Sequence, residues 1–182
     1  WYLNHEPDQK ELAHQRLEAD RLPNRPLISL VVPVFNPPMK ILREMLSSVI
    51  SQTYTNWECC IANGDPTNDT IKTLLEDQAR KDDRFKLLHL EKNLGIAGNT
   101  NAAVWLASGS YIAFLDHDDM IAPSALFEVV RQLDVSPEID LFYSDEDNMN
   151  AKGLRYGPFF KPEFDPDFLR SVNYMCHFLV VK

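Results

Sequence analysis

The run Leu27-Ile-Ser-Leu-Val-Val-Pro-Val-Phe35 constrains the fold more than any other stretch. It is apolar almost throughout and does not alternate with polar positions. A strand of that kind is buried on both faces, as central strands of parallel sheets are. Pro33 has no N–H to donate, so it is expected near the strand end or at a bulge. Asn36-Pro37-Pro38 stops the run. A helix is predicted over residues 39–52, with Ile41, Leu42, Met45, Leu46, Val49 and Ile50 on one face. The alternation then repeats. Strands are predicted over 57–62 and 85–90, and helices over 70–81, 97–107 and 123–133. Small residues in the 97–107 helix, among them Gly98, Ala102 and Ala103, allow close approach to the sheet. Ser108-Gly109 is expected to end that helix as a C-terminal glycine does. The pattern implies an α/β fold: a mostly parallel central sheet with helices on both faces.

The fourth strand is Tyr111-Ile-Ala-Phe-Leu-Asp-His-Asp-Asp119, and it ends in three carboxylates within four positions. Charges that close repel unless a cation sits among them, and a hard divalent ion with oxygen ligands fits. The plain alternative is a solvated acidic turn. In parallel sheets, ligands bind off the carboxyl ends of the strands. The loops at Asn36, at Asn63-Gly64-Asp65, at Lys92-Asn93 and at 116–119 are all expected on that edge.

Beyond Val135 the alternation lapses. A strand is predicted over 139–143, ending in Ser144-Asp-Glu-Asp147. Residues 148–167 read as turns, 168–170 as one turn of helix, and 173–181 as a last strand. Ahead of the sheet, 7–22 reads as a surface helix with a thin stripe of Leu12, Leu17 and Leu22. Leu22-Pro-Asn-Arg-Pro26 follows as a linker. The expected organisation is a helix and linker over 1–26 and one domain over 27–182. The start at Trp1 and the stop at Lys182 are those expected of a piece of a longer protein with other domains.

A chain of 182 residues buries one core. Its net charge of −9 argues against nucleic acid as a partner. No apolar run approaches membrane-spanning length. The three cysteines are expected to be reduced and mostly buried, with Cys59 and Cys60 pointing to opposite faces. Those features are expected of a cytoplasmic protein.

Taken in order, Ser29-Leu-Val-Val-Pro-Val-Phe-Asn36, Ser48-Val-Ile-Ser-Gln-Thr-Tyr54, Trp57-Glu58, Asn93-Leu-Gly95 and Ala107-Ser-Gly-Ser-Tyr-Ile-Ala-Phe-Leu-Asp-His-Asp-Asp119 resemble the family-2 inverting glycosyltransferases of the GT-A fold. Tyr143-Ser-Asp-Glu-Asp147 and Pro158-Phe-Phe-Lys-Pro162 resemble a bacterial subgroup that assembles O-antigen, rhamnan and other surface polysaccharides. The resemblance spans residues 27–182, with its C-terminal acceptor part missing. It implies transfer of a sugar, with inversion, from a UDP-, dTDP- or GDP-linked donor to a glycan or lipid-linked acceptor. It implies Mn²⁺ or Mg²⁺ at the leaving pyrophosphate. Carried over, Asp118 is the metal ligand, and Asp116 its companion on metal or ribose. Asp119 is expected to support that pair or cap the next helix. His117 is open to a supporting or a structural role. Pro33, Val34, Phe35 and Asn36 fall beside the nucleotide, Pro33 chiefly as a buried strand end. Asn63, Asp65 and Asn93 complete the donor side, with Lys92 near phosphate or base. The family commonly carries paired Asp residues where Asn63-Gly64-Asp65 stands here, which leaves the base open. The resemblance implies a general base beyond Lys182. Within the chain, the cluster with Asp145, Glu146 and Asp147 is the other acidic candidate. It also implies a place at, or peripheral to, the inner face of the membrane.

Two other classes fit the broad fold less well. A nucleotidyltransferase would show a Gly-rich, basic loop where Asn36-Pro37-Pro38 stands. A non-catalytic binding fragment or scaffold would not need both Asp116 and Asp118.

Overall fold

The continuous apolar runs form the centre of the molecule. The computed structural model describes residues 5–182, so the first four residues of the predicted 1–26 segment lie outside the described residues. In chain order the elements are α1 (Gln9–Ala19), β1 (Ile28–Val34), α2 (Met39–Ile50), β2 (Trp57–Asn63), α3 (Asp69–Lys81), β3 (Phe85–His89), α4 (Gly95–Val104), β4 (Tyr111–Phe114), α5 (Ala125–Val135), β5 (Leu141–Tyr143), β6 (Glu146–Met149), β7 (Arg155–Phe159), α6 (Pro166–Ser171) and β8 (Leu179–Val181).

Six strands make one sheet in the order β3-β2-β1-β4-β8-β5. The pairs β1–β2, β1–β4 and β2–β3 are parallel. β8 runs antiparallel to both β4 and β5, so β5 points the same way as β1. The carboxyl ends of β1 to β5 therefore share one edge.

Side-chain alternation splits the core between the two faces. Leu30, Val32, Cys59 and Ile61 face one way and pack with Leu42, Met45 and Val49 of α2 and Leu126, Phe127 and Val130 of α5. Val31 and Ala62 face the other way, against Ala102 and Ala103 of α4. Cys59 and Cys60 are buried and unbridged.

Four local expectations change. The first helix is shorter than 7–22, because Asp8 stops it with a capping box: its side chain accepts from the Lys10 and Glu11 N–H groups. Leu12 and Ala19 are its buried residues, whereas Leu17 is exposed. The last strand begins only at Leu179, because residues 173–178 form a loop. Residues 146–159 hold an antiparallel ribbon, β6 with β7, which begins in the acidic segment ending at Asp147 and runs into the stretch 148–167 read as turns. α4 ends at Val104, so Gly109 is not its cap.

Gly109 is required for another reason. A Cβ there would lie 2.4 Å from the Leu27 carbonyl oxygen and 2.7 Å from Ser29 Oγ. Gly109→Ala is expected to cost about 1–3 kcal/mol through overpacking against backbone, read as a lower midpoint in urea unfolding.

The turn at Gly109 closes on a polar knot at the amino edge of the sheet. Glu58 of β2 is buried, and Lys86 of β3 reaches it at 2.6 Å. Its carboxylate accepts from Ser29 Oγ at 2.7 Å and from the Ser108 N–H at 2.6 Å. Gly109 N donates to Ser29 Oγ. One carboxylate thus ties β1, β2, β3 and the turn before β4 together, at the end away from the polar loops.

A second set of bonds positions the loop after β4. Ser48 and Gln52 lie at the end of α2. The Ile121 N–H donates to Ser48 Oγ, Gln52 Nε2 donates to the Ala122 carbonyl, and the Leu126 N–H donates to Gln52 Oε1. The Ser48-to-Thr53 segment therefore anchors the stretch from Ile121 to Leu126 that follows the acidic turn. Among the described residues, no helix is long and apolar enough to cross a membrane.

Candidate functional site

β1 delivers Val34, Phe35 and Asn36 to the carboxyl edge. Val34 is buried, whereas Phe35 and Asn36 are exposed. Asn36 has φ +47°, a left-handed conformation that Asn tolerates better than most residues. Pro33 is half-buried, and its carbonyl accepts from His117 Nδ1 at 3.0 Å. His117 thereby straps the acidic turn onto the end of β1.

β2 ends in Asn63, which is buried. Its amide oxygen accepts from the Asp65 N–H, and its amide nitrogen donates to His89 Nδ1. Asn63 therefore shapes the loop from inside, while Asp65 stands at its surface. Gly64 passes so close to buried Asn99 that a Cβ would lie 2.5 Å from its amide nitrogen. Asn99 in turn donates to Asn93 Oδ1, which also accepts from the Gly95 N–H. Asn93 thus fixes the start of α4, and Lys92 beside it is exposed. Together these ends frame an open cleft of about 550 Å³ lined by Phe35, Asn36, Asp65, Thr67, Asn68, Asp69 and Thr70. The cleft reaches the first turn of α3, where backbone N–H groups favour anions.

β4 ends in the acidic turn, closed by the Asp119 N–H on the Asp116 carbonyl. Asp116, Asp119 and His177 bring ligand atoms within 4.8 Å of one another. His177 Nδ1 lies 3.3 Å from Asp119 and 3.9 Å from Asp116. Asp118 is exposed and outside this group. Burial pushes the Asp119 carboxyl up. His177 pulls it down, while Asp116, Asp118 and Glu146 push it up again. Two carboxylates and one imidazole, partly exposed and short of positive charge, fit a divalent cation with open positions.

The Ser144-to-Asp147 cluster lies at the same edge, at the end of β5. Its carboxylates are engaged. Asp145 accepts from the Lys161 N–H, Asp147 accepts from Arg155 Nε at 2.6 Å, and Glu146 accepts from the His177 N–H at 2.7 Å. A second cavity of about 700 Å³ opens here, with Asp119, Glu146 and His177 on its polar side and Ile121, Phe142 and Val180 on its apolar side.

Sequence reasoning placed the four loops on one edge, and they lie there. It did not find His177, which is remote in the chain and sits in a stretch read as strand. Nor did it find Glu146 and Lys161 as the residues that hold it. Their only signal was the pair of segments 143–147 and 158–162.

The sequence profile of glycosyl transferase family 2 matches residues 29–180. The chain is 41% identical over 157 residues to the uncharacterized protein y4gI of Sinorhizobium fredii, covering 86% of this chain and 17% of that protein. It is 38% identical over 182 residues to the O-antigen biosynthesis protein RfbC of Myxococcus xanthus, covering all of this chain and 14% of that one. The chain therefore spans only about a sixth of these relatives. A solved structure of S. aureus TarS with UDP-GlcNAc superposes with a TM-score of 0.61 at 25% identity, covering 70% of this chain and 36% of that chain. The sheet and helices have the GT-A arrangement, and the chain belongs to glycosyl transferase family 2.

Proposed function

We propose that this chain is the donor-binding part of an inverting glycosyltransferase. It takes a sugar from a nucleotide-diphospho-sugar and passes it to a glycan or lipid-linked acceptor of a cell-surface polysaccharide. The observation that carries this reading is the convergence of Asp116, Asp119 and His177 on the same carboxyl edge of the sheet as the β1–β2 cleft. The relationship to an O-antigen biosynthesis protein supports the acceptor class, and the likeness to a UDP-GlcNAc-bound enzyme supports the donor class.

In this reading Phe35, Asn36 and Asp65 meet base and ribose. Val34, Asn63 and Asn93 set the loop shapes behind them. Pro33 acts through its carbonyl, which fixes His117. Asp116, Asp119 and His177 hold Mn²⁺ or Mg²⁺, with exposed Asp118 at the rim. A bound divalent ion neutralises the pyrophosphate leaving group. The acidic turn orients the donor phosphates, and the first turn of α3 adds backbone donors. Asp145 and Asp147 are bound up in holding the ribbon, so the base that takes the acceptor's proton is proposed to lie beyond Lys182. The protein acts in the cytoplasm, at the inner face of the membrane.

Calorimetric titration of the chain with UDP, dTDP and GDP, in Mn²⁺ and in EDTA, tests the donor reading. Binding of one diphosphate that requires Mn²⁺ is expected. Equal, metal-independent heats for all three, or none, would return the chain to a scaffold role.

A further inference from the structure

Lys161 carries a charge that the site chemistry above does not use. It follows β7 by two positions, and its side chain is 1% exposed. Hiding an ammonium group is costly unless its donors are all met. Here they are met by three acceptors in one place: the His177 carbonyl at 2.7 Å, the Cys176 carbonyl at 2.8 Å and Glu146 Oε2 at 3.3 Å. The same Glu146 oxygen accepts the His177 N–H at 2.7 Å. The Lys161–Glu146 pair therefore grips both polar backbone groups of His177. The imidazole itself is about half exposed and faces Asp116 and Asp119. Its direction is set from the backbone side, by a pair that the β6–β7 ribbon carries to this edge.

We propose that Lys161, acting with Glu146, is a positioning residue that holds the His177 imidazole toward Asp116 and Asp119 for a divalent cation. The inference rests on the metal-site reading under Proposed function. A lysine that merely stabilised the C-terminal loop would affect melting without affecting how His177 meets the ion.

The test uses Mn²⁺ alone as probe. Affinity is read from the resonance of the free ion, and imidazole coordination from ¹⁴N spin-echo modulation. Lys161→Met is expected to weaken Mn²⁺ binding about 10-fold or more, as loss of a group orienting a ligand does, and to remove the ¹⁴N modulation. In a His177→Ala background the same substitution is expected to change affinity less than about twofold, since the route it acts through is gone. Glu146→Gln is the second variant, expected to move both readouts in the same direction, and it carries the comparison if Lys161→Met melts too low. An equal loss in both backgrounds, or intact ¹⁴N modulation in both variants, overturns the assignment. Wild-type protein that binds no Mn²⁺, or binds it unchanged after Asp119→Asn, overturns the metal-site reading instead.

Discussion

Replacing Asp119 with Asn is expected to weaken Mn²⁺-supported binding of a UDP-sugar on the order of 100-fold, about 3 kcal/mol. The substitution keeps the size of the side chain and removes its charge. It removes the charge from one of the three side chains whose ligand atoms the fold brings together among the described residues. Asp116→Asn is expected to act similarly. Asp118→Asn is expected to cost far less, because Asp118 is exposed and outside the cluster. This contrast decides between spacing and geometry: the family pattern favours the first and second carboxylates, Asp116 and Asp118, and the fold brings together the first and third, Asp116 and Asp119. Calorimetry of the three variants in Mn²⁺ reads the order directly. A larger loss for Asp118→Asn than for Asp119→Asn would return the ligand role to Asp118.

The second large effect is on stability, at the opposite edge of the sheet. Glu58→Ala is expected to lower the unfolding free energy by about 3–5 kcal/mol, because it leaves Lys86, Ser29 and the Ser108 N–H without the carboxylate they share. The pH dependence identifies the cause. Burial pushes the Glu58 carboxyl up. The hydrogen bonds from Lys86, Ser29 and Ser108 outweigh that and hold it at about 2, against an ordinary value of 4.5. A carboxylate whose pKa is depressed on folding stabilises the fold above its unfolded value. That stabilisation is lost as pH falls through 4.5 toward 2. The full contribution is on the order of 3 kcal/mol. The gap between wild type and Glu58→Gln is therefore expected to narrow by about 2 kcal/mol between pH 7 and pH 3, read from urea unfolding at each pH. A gap that stays constant contradicts a charge-based role for Glu58.

The two edges differ in how legible they were. β1 and β2 were readable as continuous apolar runs buried on both faces, and α2, α3 and α5 from buried residues at helical spacing, whereas α4, which buries Asn99 and Ala103, was marked by its small residues. The carboxyl edge followed from the alternation of strands and helices alone. The β6–β7 ribbon was not readable, since most of its residues are exposed and no apolar period marks it. Residues 173–178 misled for the converse reason. Tyr174, Met175 and Phe178 are apolar and buried, as strand residues would be, but they belong to a loop. That loop is pinned by Lys161 and Glu146, through contacts between residues far apart in the chain. Gly109 was recognised as special and given the wrong reason: local sequence points to a helix cap, whereas the constraint is the nearby Leu27 carbonyl. Within the site, the acidic turn was evident from its charge. The proximity of Asp119 and Asp116 to His177 was not, because it depends on where a residue remote in the chain arrives.

Crystals of the chain soaked with Mn²⁺ and a UDP-sugar, measured at the manganese absorption edge, test the central claim most directly. The expected result is one anomalous peak bounded by Asp116, Asp119 and His177, with the diphosphate beside it and the nucleoside in the cleft lined by Phe35, Asn36 and Asp65. A peak away from these three side chains, or a nucleotide bound elsewhere with the acidic turn empty, would contradict it.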